Sequence, residues 1–268
     1  MAQTDSSGFL SFVADSIKKE GIEIFECMQA SGISTGILTE KLSLEGIFGS
    51  VTYKKENSVC TIFLMGNKKK PSIKYSFRFD LPINTENFII DGEPRLLTEE
   101  EEAFSKMRRR IEKEAKKRKS FFPNYSGIVL NPVYLMRNGE TLVFLVSTTH
   151  NKEFIPFGND YKFTFNEKSR LISREKIHQN LIEVTTGGTD TLQTGNALAS
   201  YHTHSSFSSP FISSTDICTL LLTKDVVRWE SHVVMSENYV SFFFPEAKIL
   251  QIISREEFEK MSNEGVGE

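Results

Sequence analysis

Ala199–Leu221 reads ASYHTHSSFSSPFISSTDICTLL, and it carries His202 and His204, two of the five histidines of the chain. An apolar lead-in, Ala197-Leu198-Ala199, brings the chain to them. Read as a strand, Leu198 to His204 turns residues i and i+2 to one face, so both imidazoles converge on one spot. A loop of Ser, Phe and Pro follows. Ser213-Ser214-Thr215-Asp216 then opens an apolar segment, DICTLLL, that predicts the start of a buried helix. Asp216 stands where loop hands over to helix and can turn its carboxylate to the same spot. Two neutral imidazoles and one carboxylate, with a position to spare, make the kind of ligand set found in catalytic zinc sites. A plainer reading uses the same residues. Strand histidines can be hydrogen-bonded core or surface groups, and Asp216 can be a helix cap among good capping neighbours.

The order His202-Thr203-His204, spacer, Ser213-x-x-Asp216 resembles the motif of the JAMM (JAB/MPN) metallopeptidases. That motif is His-Ser/Thr-His, seven residues, then Ser-x-x-Asp, with a Glu well upstream. Here the spacer, residues 205–212, is one residue longer. The resemblance covers at most residues 125–250. It implies a JAB/MPN-like mixed sheet flanked by helices, with Zn2+ as cofactor held by His202, His204 and Asp216. It also implies Ser213 as oxyanion donor and an upstream glutamate as general base. Glu140 opens ETLVFLV, 62 residues before His202, and is the preferred glutamate, although the family's following glycine is missing. Glu153 in KEFIPFG has Gly158 after it and is the alternative.

The activity implied is hydrolysis of a peptide or isopeptide bond by a metal-activated water. The partner implied is a protein or peptide substrate, a ubiquitin-like conjugate among the candidates. A second reading is a JAB/MPN-like interaction module that keeps part of the motif without catalysis. A third is a non-peptidase zinc protein, for example a toxin-like or effector-like hydrolase on the same scaffold.

The remaining histidines separate by context. His178 in REKIHQN is a candidate extra ligand. His232 in ESHVV sits among apolar residues and reads as packed, and His150 reads as a solvated turn residue. Cys218 is two residues from Asp216, and on a helix such residues do not share a face, so it reads as core. Phe207 and Phe211 in the spacer read either as the lining of the approach to the metal or as braces tucked into the core.

Outward from this stretch, alternating apolar patterns predict an α+β chain. Gly8 to Phe25 reads as an amphipathic helix, broken at Gly21. IFGSVTYKK and SVCTIFLMG flank Glu56-Asn57 as a hairpin, and KYSFRFDLPI alternates as a half-buried antiparallel strand. Thr98 to Lys119 is a charged helix with a capping box at Thr98 and Glu101, acidic residues in its first turn and basic ones at its end. YSGIVLNPVYLMR and ETLVFLVST flank Asn138-Gly139, a strong hairpin signal. DYKFTF, Ser231–Met235 and Tyr239–Phe244 read as strands. Residues 167–180 read as a helix or two short pieces, and Thr185–Asn196 as a Gly/Thr-rich loop. A short helix ends the chain at Arg255–Met261. The division expected is an N-terminal α+β region at 1–97, a connecting helix at 98–120 and a JAB/MPN-like domain at 121–268.

Composition bounds the function. Hydrophobic residues at 39% and charged residues at 25% suit a globular chain with a core. A net charge of −3 gives no electrostatic footprint for nucleic acid. No apolar run is long enough for a membrane span. Cys27, Cys60 and Cys218 are odd in number and scattered, which reads as reduced thiols. The N-terminus has no basic region before its apolar patch, so no signal peptide is expected. A cytoplasmic location is expected, and export by other routes stays open.

Overall fold

The computed structural model describes residues 6–151, 153–185 and 199–264. Helices and mixed or antiparallel sheets make the α+β architecture that the patterning predicts. The chain divides into two compact units. One comprises residues 23–148 and 159–176, and the other residues 1–22, 149–158 and 177–268.

Helix α1, Ser6–Lys41, gives residues to both units and runs unbroken through Gly21. The sequence expectation of a break there is corrected by packing. A Cβ on Gly21 would lie 2.7 Å from Ile217 and 2.9 Å from the Ser214 carbonyl. Glycine is needed at this point for close approach of another chain segment, not to end the helix.

The first unit is built on one large sheet. Strands β1 (Ile47–Lys55), β2 (Ser58–Asn67), β3 (Lys70–Asp80), β4 (Phe88–Asp91) and β5 (Arg95–Leu96) precede helix α2, Glu99–Lys117. Strands β6 (Ile128–Arg137), β7 (Glu140–Thr149), β9 (Tyr161–Phe165) and β10 (Leu171–Lys176) follow it, and β8 (Phe154–Gly158) belongs to the other unit. The order is β10-β9-β7-β6-β1-β2-β3-β4, with β5 paired to β3. Turn chemistry sets the hairpins: Glu56, Asn138 and Gly139 have positive φ, as a tight two-residue connection requires. On β3 the alternation buries Ile73, Phe77 and Phe79 and exposes Arg78 and Asp80.

Helix α2 is capped as the sequence indicates, by Thr98 and Glu101 in a capping box. Its Phe104, Met107 and Ile111 enter the core with Val51, Tyr134 and Phe163. Strands β1 and β6, from either side of the helix, pair in parallel through Thr52↔Val133. The helix expected as a connector between two regions therefore lies within one unit, because its apolar stripe is part of that unit's core.

The second unit holds the start of α1, a two-stranded antiparallel ribbon and a four-stranded mixed sheet. The ribbon pairs β8 with β11, Leu181–Thr185. The sheet runs β12 (Ala199–Thr203), β13 (Ser231–Met235), β14 (Tyr239–Phe244) and β15 (Ile249–Ser254). Strand β12 is parallel to β13, and the other pairs are antiparallel. A parallel pair needs a long crossover, and helix α3, Ser214–Val227, supplies it. Helix α4, Arg255–Glu264, follows β15 directly. Residues 167–180, read as a helix or two short pieces, form no helix and contain β10, which pairs with β9 from Leu171↔Phe165 to Lys176↔Tyr161. The loop read at Thr185–Asn196 lies, from residue 186 on, outside the described residues. No helix among the described residues is long and apolar enough to cross a membrane.

Candidate metal centre

The site starts with β12. His202 is its fourth residue and is buried, while the flanking Tyr201 and Thr203 are exposed, which is the two-residue period of a strand. His204 lies one residue past the end of β12, and its backbone N–H donates to the Met235 carbonyl at 2.8 Å. That bond carries the pairing with β13 one step further and keeps His204 on the face of His202. The Nε2 atoms of the two rings stand 3.1 Å apart. Among the described residues β12 is an edge strand of its sheet.

Helix α3 brings the carboxylate. Ser213 is its N-cap, and the capping box is reciprocal: Asp216 N–H donates to Ser213 Oγ at 3.0 Å, and Ser213 N–H donates to Asp216 Oδ2 at 2.9 Å. The capping residue and the candidate ligand are thus one residue. The box fixes the Asp216 rotamer, and the side chain is almost wholly buried, at 1% exposure. Asp216 Oδ2 lies 3.8 Å from both His202 Nε2 and His204 Nε2. Among the described residues Asp216 Oδ1 is buried without a hydrogen-bond partner, and its near neighbour is His178 Nε2 at 3.2 Å.

His178 arrives from the four residues between β10 and β11. Its Nε2 is also 3.2 Å from Asp216 Oδ2 and 3.3 Å from Ser213 Oγ. Ligand atoms of His178, His202, His204 and Asp216 all lie within 4.8 Å of one another. The sequence put His178 forward only as an extra ligand, because a single histidine 24 positions before His202 carries no spacing signal.

Electrostatics fit a cation. Burial pushes His202 and His204 below the usual imidazole range, so both rings are neutral near pH 7. Burial alone would raise the Asp216 carboxyl, but the neighbouring imidazoles of His178, His202 and His204 hold it well below the usual carboxylate range. His204 Nδ1 faces the Ser209 carbonyl at 2.9 Å. A carbonyl only accepts, so the proton sits on Nδ1 and Nε2 presents a lone pair. Two donors on a tetrahedral zinc at the usual Zn–N length would stand about 3.3 Å apart, close to the separation of His202 and His204. A buried cluster of this kind could hold a metal ion.

A cavity of about 140 Å³ opens beside the cluster. Phe157, Gly158, Gln179, Asn180, Ser205 and Ser208 line it with the four cluster residues. Comparison with protein-family models, curated proteins and solved structures gives no match. The site therefore stands on its own geometry.

The other residues singled out by sequence fall as follows. Ser213 is in the site, with its hydroxyl 2.9 Å from Asp216 Oδ2, 3.0 Å from Thr215 Oγ1 and 3.3 Å from His178 Nε2. Glu140 follows the Asn138-Gly139 turn as the first residue of β7, exposed at a hairpin end of the other unit. Glu153 is exposed and tied to Asn151, which accepts its N–H at 2.9 Å. It precedes β8, whose opposite end supplies Phe157 and Gly158 to the cavity, about 16 Å along an extended strand. Among the described residues, no glutamate lines this cavity. Phe207 is 85% exposed, and Phe211 is half-buried with its ring 4.8 Å from Tyr239; neither lines the cavity. Cys218 is core, as expected. His232 is packed as expected, but it is also hydrogen-bonded to His202, which its apolar context did not reveal.

Proposed function

We propose that this chain is a zinc-dependent hydrolase of peptide or isopeptide bonds, with zinc held by His202, His204, Asp216 and His178. The observation that carries the reading is the pairing of two neutral Nε2 atoms 3.1 Å apart with a buried, ionised carboxylate. Bound there, zinc would polarise a carbonyl and lower the pKa of a water toward neutrality.

The chain's own residues do the rest. Ser213 holds Asp216 by two hydrogen bonds, from its N–H and its hydroxyl. The Ser209 carbonyl fixes the tautomer of His204. Hydrolysis needs one position exchangeable with solvent, whereas structural zinc sites are closed. The cavity supplies access. His178 is the donor best placed to give way, since it stands on a short connection between strands while the other three are fixed by strand pairing or a helix cap.

One observation favours a second reading, a zinc-carrying interaction module without turnover. Among the described residues no glutamate lines the cavity, so the general base of the resembled family has no counterpart among them there. One experiment separates the two. Chelator-treated protein is refilled with zinc and assayed for metal content and for cleavage of a peptide and isopeptide panel, beside His202→Ala and His178→Ala. A hydrolase binds one zinc and cleaves, and His202→Ala loses both properties. Zinc without cleavage across the panel supports the module, and no zinc rejects both.

A further inference from the structure

His232 and Ser200 form a second layer behind His202. His232 Nε2 lies 2.9 Å from His202 Nδ1, and His232 Nδ1 lies 2.6 Å from Ser200 Oγ. His232 is only 2% exposed. Its ring is stacked on Phe157, with planes 2° apart and centroids at 5.3 Å, and Trp229 stacks nearby at 6.1 Å. The ring therefore has no room to turn away. All of these residues belong to one unit, and Ser200, His202 and His232 sit on the paired strands β12 and β13, where Ser200 is registered against His232.

The proton positions along this line are set from one end. For His202 to offer a lone pair at Nε2, its proton must be on Nδ1. That N–H must then donate to His232 Nε2, so His232 carries its own proton on Nδ1 and donates it to Ser200 Oγ. A buried ring N–H without an acceptor would cost the desolvation of that group. The opposite tautomer of His202 would donate its Nε2–H to the His204 Nε2 lone pair 3.1 Å away and so take the place a metal needs. Metal-binding histidines are ordinarily braced by a carboxylate, carbonyl or water. Here a second histidine takes that place.

We infer that His232, itself aligned by Ser200, is a positioning residue that holds His202 in its Nδ1–H tautomer and so presents Nε2 to a metal. This rests on the zinc reading above. Removing the partner of a ligating histidine lowers metal affinity about 10–100-fold. The experiment is a zinc competition titration against a chromophoric chelator with the full chain, His232→Leu, His232→Gln and Ser200→Ala. Long-range 1H–15N spectra of histidine-labelled wild-type protein accompany it, with and without zinc.

His232→Leu keeps volume but offers no acceptor, and it is expected to bind zinc 10–100-fold more weakly. His232→Gln can place a carbonyl oxygen where Nε2 was and is expected to recover most of that loss, and Ser200→Ala should fall between. In the zinc-bound wild-type spectra, His202 Nδ1 should be the protonated nitrogen and His232 Nε2 the bare one. Equal zinc affinity in all four proteins overturns the inference and leaves the metal site standing. A proton found on His232 Nε2 in the zinc-bound protein overturns it even where the leucine variant does not fold. Wild-type protein that takes up no zinc removes the metal reading and this inference together.

Discussion

The Nε2 atoms of His202 and His204 stand 3.1 Å apart with a buried Asp216 oxygen 3.8 Å from each. His204 cannot bridge the gap with a proton of its own, because its Nδ1 is already the donor to Ser209. In the tautomer that makes His202 a ligand, two lone pairs face each other. A cation between them converts a repulsive arrangement into a bonded one.

Purified protein refilled with zinc is therefore expected to hold about one zinc per chain by metal analysis. Free zinc at a hundredfold excess over its Kd should add about 2.7 kcal/mol to stability. The checking measurement is a thermal melt with and without chelator. His202→Ala should abolish the difference between the two melts. A chelator-insensitive wild-type melt together with zero zinc would count against the site.

Acid should destabilise the metal-free protein, and the sign follows from burial. Burial lowers His202, His204 and His232 below the imidazole value, with His232 pushed down to about 3. The unfolded chain then binds more protons than the folded one between the unfolded pKa near 6.5 and the folded values. Stability from these groups is fully present above about pH 6.5 and is lost as pH falls toward 3. Denaturant titrations of chelator-treated protein from pH 7.5 to 4.5 should show a falling midpoint, and His232→Gln should flatten the slope. A midpoint that rises over that range would show the sign to be wrong.

What could be read from the chain, and what could not, divides by the range of the interaction. Local signals were enough for the α2 capping box, the Asn138-Gly139 hairpin, the strands at Ser231–Met235 and Tyr239–Phe244, and the meeting of His202, His204 and Asp216. Each rests on residues a few positions apart or on one strand–loop–helix segment. His178 and His232 reach the site through pairing and chain return from distant segments, so no spacing announces them. The same holds for Gly21, which looks like a helix break until Ile217 is seen against it. Strand β11 is short and half-exposed, and it was invisible beside the polar stretch that follows it.

Gly21→Ala tests that packing directly. Alanine in a helix interior is ordinarily better than glycine by about 1 kcal/mol. Here the added methyl would meet Ile217 at 2.7 Å and the Ser214 carbonyl at 2.9 Å. Backbone at that distance cannot yield as a flexible side chain does, so overpacking at about 1–3 kcal/mol should win. The expected result is a lower denaturation midpoint. The displaced α3 start should also weaken zinc binding, since Ser214 adjoins the cap that holds Asp216 and donates to Glu20 of α1 at 2.8 Å. A more stable alanine variant would mean that α1 has room to move away.

The two phenylalanines of the loop between the motif halves part company. Phe207 is exposed, and its backbone carbonyl, not its ring, receives a bond from Gln179 Nε2 at 3.3 Å. Phe211 rests on Tyr239, and the next residue, Ile212, is fully buried with its N–H donating to Ser241 Oγ at 3.2 Å. Phe207→Ala should therefore leave stability within about 0.5 kcal/mol, as for a surface site without special contacts. Phe211→Ala should cost about 1–2 kcal/mol, short of the 3–5 kcal/mol of a fully buried ring because half of it is already in water. Both variants are expected to keep their zinc, since neither ring lines the cavity. A loss of cleavage or partner binding in Phe207→Ala, with unchanged melting and metal content, would assign that ring to recognition. Early melting of Phe207→Ala would instead show that the ring folds inward in solution, contrary to its exposed position.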